Sequence, residues 1–100
     1  MMFITGRTVV TTAATRVQVR NTNSKVLWAK FQGKPGNAAA VTVGDSTVSM
    51  TAGWTIMNSA TIPATLELDF RKYQGSVLAS SFWVDSSANG DAVEWAMIVE

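Results

Sequence analysis

The stretch Leu66-Glu67-Leu68-Asp69-Phe70-Arg71 alternates apolar and charged residues without a break. A period of two places Leu66, Leu68 and Phe70 on one side of an extended chain and the charges on the other, the mark of a half-buried β-strand. Thr15-Arg16-Val17-Gln18-Val19-Arg20 repeats the pattern, with both valines on one face and both arginines on the opposite one. Short β-branched runs follow at Ala40-Val41-Thr42-Val43 and Thr47-Val48-Ser49-Met50. Nowhere does an i, i+3, i+4, i+7 apolar stripe outweigh alternation, so helices are not expected.

Turn residues cut these runs at short intervals. Asn21-Thr22-Asn23-Ser24 precedes Val26–Phe31, Gly33-Lys34-Pro35-Gly36-Asn37 closes that strand, and Gly44-Asp45 separates the two β-branched runs. Pro63 opens the Leu66 strand, and Asn89-Gly90 is the strongest hairpin signal in the chain. About eight strands at this spacing predict an all-β single domain, an antiparallel β-sandwich or small jelly-roll-like barrel. The domain is expected over 8–100. The apolar start, Met1-Met2-Phe3-Ile4, makes 1–7 either a frayed end or an N-terminal arm that reaches a neighbouring subunit.

Composition narrows the chemistry. The 100 residues are 47% hydrophobic and 15% charged, with a net charge of +1 and neither Cys nor His. One core burying about 60–65% of the unfolded surface is what such a length supports. Lack of His and Cys removes Ser-His-Asp and Cys-His nucleophiles, most zinc sites and any disulfide framework. The N-terminus has no basic region ahead of an apolar run, and no stretch approaches the ~18 apolar residues of a membrane span. Synthesis in a cytoplasm without export is the expectation, with no membrane partner.

Charge is divided along the chain. Arg7, Arg16, Arg20, Lys25, Lys30 and Lys34 are the only charges before residue 35, and the remainder is mostly acidic. Either the strands pair across this divide into surface ion pairs, or complementary patches meet between subunits.

Three strands break the alternation. Val26–Phe31 places Leu27, Ala29 and Phe31 on one face and Val26 with Trp28 on the other. Ser81-Phe82-Trp83-Val84 is apolar on both sides, and in Val93–Val99 Ala96 and Ile98 soften the face opposite the odd positions. A two-layer sandwich buries one face of each sheet, so the second apolar faces call for loops, chain ends or another subunit.

Four candidate sites have simpler readings. Asp85-Ser86-Ser87-Ala88-Asn89-Gly90-Asp91 has the oxygen donors of a calcium loop, but Ala96 stands where the bidentate Glu belongs and no helices flank it. Glu67 and Asp69 share a strand face, yet it is the polar, solvated one. Trp28, Lys30, Phe31 and Lys34 with Arg16 and Arg20 have the makings of a base-stacking platform, although strand aromatics are more often core or interface. Trp54 and Trp83 pose the same choice for sugar binding. No catalytic residue, metal or cofactor is expected.

Val26-Leu27-Trp28-Ala29-Lys30-Phe31-Gln32, Gly36-Asn37 and Val41-Thr42-Val43-Gly44-Asp45-Ser46-Thr47-Val48-Ser49 together resemble small β-sandwich proteins of tailed bacteriophages. The likeness continues through Gly53, Leu66-Glu67-Leu68-Asp69 and Gly90-Asp91-Ala92-Val93, covering roughly 15–99. It implies a structural virion component and no enzyme: a capsid decoration (cement) protein bound to the major capsid protein on the outer capsid surface, with itself as a further partner, as a homo-oligomer with a trimer favoured. A tail, fibre or carbohydrate-binding module is the alternative, and a single-stranded nucleic-acid binder a weaker one. The interface residues expected are Phe3 and Ile4 in the arm, Arg16 and Arg20 for basic contacts, and Trp28 with Trp83 for apolar ones.

Overall fold

The computed structural model describes residues 1–58, 64–71 and 77–100. Pro63, expected to open the Leu66 strand, lies outside the described residues. The strands are β1 (Met2–Val10), β2 (Val17–Gln18), β3 (Val26–Gly33), β4 (Val41–Gly44), β5 (Trp54–Ile56), β6 (Thr65–Asp69), β7 (Trp83–Ser86) and β8 (Asp91–Val99). They form two four-stranded antiparallel sheets, ordered β1-β8-β3-β6 and β2-β7-β4-β5. Among the described residues the only helical piece is a single 3₁₀ turn, Ala79–Ser81.

The pairings are nested. β1 lies beside β8, β2 beside β7, β3 beside β6 and β4 beside β5, as if the whole chain were one long hairpin. Rolling that hairpin brings β3 onto β8 and β4 onto β7, which joins the four pairs into two sheets. This winding is the jelly roll, one form of the expected all-β sandwich.

Alternation supplies the core. Val93, Trp95, Met97 and Val99 of β8 point between the sheets, with Ala29, Phe31 and Leu66 beside them and Val41, Val43, Ile56 and Val84 opposite. Phe82 stacks at a tilt on Phe31, with ring centroids 5.2 Å apart, and Phe70 approaches Phe82 at 6.3 Å. Each such large side chain contributes about 1.5–3 kcal/mol by burial.

Several local expectations change. In β3, Val26 pairs with Val99 while Trp28 pairs with Ile98, so Leu27 is an extra, bulged residue. One inserted residue exchanges the faces, and Val26 joins Ala29 and Phe31 in the core while Leu27 is only half-buried. Thr47–Met50 is no regular strand. Thr47 donates its amide to Asp45 Oδ1, the Val48 amide bonds the Asp45 carbonyl, and Ser49 bridges Ala52. Val48 then packs its methyl over Gly44 and Gly53, where added Cβ atoms would meet it at 3.0 and 2.7 Å.

Asn89-Gly90 is a corner and not a hairpin, because β7 belongs to one sheet and β8 to the other. Gly90 takes φ +81°, and its amide bonds the Val10 carbonyl at 2.8 Å. The alternation at Thr15–Arg20 yields only the two-residue β2, with Val19 continuing into the core. Residues 2–7, read as arm or frayed end, run inside β1, where Met2 faces Val99 and Arg7 faces Glu94.

Candidate assembly surface

The two ends of the roll differ in chemistry. At the end where β1 finishes and β8 begins, loops are stitched by polar side chains, with Asp91 buried, Asn37 half-buried and Asn89 exposed. The Asp91 carboxylate accepts the Ala38 amide at 2.8 Å, the Ala39 amide at 2.9 Å and the Ser86 hydroxyl at 2.9 Å. Asn37 bonds both the carbonyl and the amide of Ala92, and Asn89 accepts the Ala13 amide at 2.7 Å. Bonds to an ionised carboxylate are stronger than neutral ones, so Asp91 is the anchor of this end.

Three oxygen-bearing side chains of the calcium-like segment are engaged within the fold. Asp85 accepts the Ser86 amide, Asp91 is filled by two amides and a hydroxyl, and Asn89 faces Ala13. No group of three or more acidic, His or Cys side chains able to hold a metal occurs among the described residues.

The opposite end is apolar and open. Met1, Met2, Phe3, Met50 and Trp54 are all exposed large hydrophobics on strand starts or loops at that end. On the outer face of the first sheet, register places Phe3 opposite Ile98, Ile98 opposite Trp28, and Trp28 opposite Asp69. The doubly apolar strands thus contribute one continuous row, Phe3–Ile98–Trp28, in which Phe3 is 64% exposed. The next rows are polar: Arg7 bonds Glu94 at 2.8 Å, Gln32 bonds the other Glu94 oxygen at 3.2 Å, and the Trp28 indole donates to Glu67 at 2.7 Å.

The expected interface residues separate into several places. Phe3 and Trp28 share the apolar row. Ile4 faces the core, opposite Met97. Arg16 is exposed ahead of β2, whereas Arg20 lies over the Trp95 ring, its guanidinium carbon 5.8 Å from the centroid. Trp83 is half-buried in the second sheet, opposite Gln18 and Gly44, away from Trp28. The aromatic–basic platform is split as well, since Phe31 is fully buried and Lys30 is exposed. Met50 escaped sequence reading because nothing in the pattern says which loops share an end.

Charges pair across the sequence divide. Arg7 meets Glu94 at 2.8 Å and Lys25 meets Glu100 at 3.4 Å, while Arg71 clasps its neighbour Asp69 at 2.6 Å. The Arg7 hydrogen bond, followed by that of Gln32, holds the Glu94 carboxyl below its ordinary range. Hydrogen bonds from Thr47 do the same for Asp45.

A cleft of about 300 Å³ opens beside Trp54, lined among the described residues by Val43, Leu66, Leu68, Val77 and Phe82, with Asp45 and Ser81 as its polar groups. Trp54 itself is 60% exposed.

Comparison with protein-family models, curated proteins and solved structures finds no match for this chain.

Proposed function

We propose that this chain is a structural virion protein, a capsid decoration subunit that binds the major capsid protein on the outside of a phage head and stabilises the shell. The observation that carries the reading is the contrast between the ends. One is tied together by Asp91, Asn37 and Asn89, with Val9 on the first sheet and Met57 beside β5 of the second exposed, and the other presents Met1, Met2 and Phe3 beside the Phe3–Ile98–Trp28 row. An exposed apolar patch rimmed by polar residues is the usual form of a protein-binding surface. The jelly roll is a fold found in viral capsid and lectin domains, which supports the reading by analogy alone. Function on this account is mechanical. Burying the row against neighbouring capsid subunits ties them together against the pressure of packaged DNA.

The test is binding to emptied heads. Purified chain should saturate them at a fixed ratio to the major capsid protein, and Phe3→Lys should weaken occupancy without altering the fold. Deleting the first five residues is a poor substitute, because Met2–Thr5 belong to the β1 ladder. Absence of any saturable binding would overturn the proposal.

A second reading rests on Trp54. An indole 60% exposed at the rim of a cleft resembles the platforms of sugar-binding modules. Among its described lining residues the cleft offers few polar groups to fix sugar hydroxyls, which places this reading second. Quenching of Trp54 emission by host polysaccharide, lost in Trp54→Ala, would favour it.

A further inference from the structure

We propose that two copies of this chain associate by pairing their β1 strands edge to edge, so that the first sheet runs from one copy into the other across a two-fold axis. The inference goes beyond the decoration reading and holds whether or not a capsid is bound.

The two sheets have four outer strands: β1 and β6 in the first, β2 and β5 in the second. Natural proteins protect such edges with shortness, charge, proline or bulges, because an unpaired row of N–H and C=O groups recruits another strand. β2 is two residues long and β5 three. β6 is five residues long and carries Glu67 and Asp69. β1 is different. It is nine residues long, and its register with β8 is continuous from Met2 to Val10, with no bulge.

Part of that edge is already closed. The Thr8 hydroxyl donates to the Val19 carbonyl at 2.8 Å, so the segment that follows β2 covers the Val10 end of the strand. Met2–Arg7 remains, about 20 Å of strand that among the described residues is paired on its β8 side alone. This segment contains no proline and no lysine, and its one charge, Arg7, is held on the outer face by Glu94.

A second copy fits this edge by symmetry. An antiparallel pair formed by identical strands is self-complementary, as an isologous interface requires. With Thr5 on the two-fold, Phe3 of each copy lies opposite Arg7 of the other, and Ile4 lies opposite Gly6. No like charges meet, and the net charge of +1 offers little long-range repulsion.

Sedimentation velocity from about 1 µM to 1 mM tests this, a range that spans weak and moderate self-association. The wild-type chain is expected to shift from monomer to dimer. Thr5→Lys sets two lysines opposite each other on an exposed outer-face position, and should weaken the dimer by at least about tenfold while circular dichroism stays unchanged. Trp28→Ala, two strands away from the edge, should leave the dimer intact. Amide exchange should slow at Met2–Arg7 as concentration rises. A chain that stays monomeric throughout, a trimer, a dimer indifferent to Thr5→Lys, or one abolished by Trp28→Ala would each overturn the proposal.

Discussion

Gly6 of β1 and Trp95 of β8 stand directly opposite each other in the ladder, and the Trp95 indole occupies the space a side chain on Gly6 would need. A Cβ at Gly6 would lie 2.9 Å from Cε2 and closer still to Cζ2. The indole lies across β1 and donates to Thr8 Oγ1 at 3.1 Å, and Arg20 covers it. One missing side chain therefore lets Trp95 reach across the inner face of β1 to Thr8.

Gly6→Ala should destabilise the chain by about 1–3 kcal/mol, the range for overpacking a well-filled site. Gly33→Ala, whose Cβ would meet Asn37 Nδ2 at an ordinary 3.5 Å, should shift stability by less than about 1 kcal/mol. Midpoints of urea unfolding compare the two.

Asp91→Asn should cost about 2–3 kcal/mol, since an amide nitrogen would be set against donors that now reach a buried carboxylate. Amide exchange at Ala38 and Ala39 should accelerate more than exchange in β3. Equal acceleration everywhere would show global destabilisation without a local anchor.

The Arg7–Glu94 pair sets an acid limit. Glu94 titrates below its ordinary value of 4.5 because Arg7, and then Gln32, hydrogen-bond its charged form. A carboxyl lowered in the folded state stabilises fully above the unfolded value, and that contribution is lost as pH falls through the folded one. Both side chains are partly solvated, so the effect should stay under about 1 kcal/mol. Stability of the wild type should fall more steeply below about pH 4.5 than that of Glu94→Gln. Parallel curves would contradict this.

Tryptophan quenching checks the map of exposure. Trp54 is 60% exposed and Trp95 7%. Acrylamide should quench the wild type markedly more than Trp54→Phe, whereas Trp95→Phe should leave the quenchable fraction unchanged or raised.

Much of this fold was legible in alternation alone. β3, β4, β6 and β8 sit where apolar periodicity put them, because a buried face enforces its own register. Less visible were features decided by distant partners. Leu27 bulges because β3 must meet both Val99 and Ile98, and Asn89-Gly90 turns a corner because β8 finds β1 and β3 in place of β7. Val48 looked like a strand residue and instead fills the space left by two glycines. At the surface, the excess apolar faces of Trp28 and Ile98 could be counted from sequence. That they line up with Phe3 required the register of three strands.

If the Phe3–Ile98–Trp28 row is the interface, hydroxyl-radical footprinting reads it directly. Labelling of Met2, Phe3 and Trp28 would be compared for the chain alone and for the chain bound to emptied heads. Strong loss of labelling at these residues on binding, with Met57 and Val9 at the other end still labelled, is the predicted result. Bound chain whose Phe3 and Trp28 label as freely as before would contradict the account.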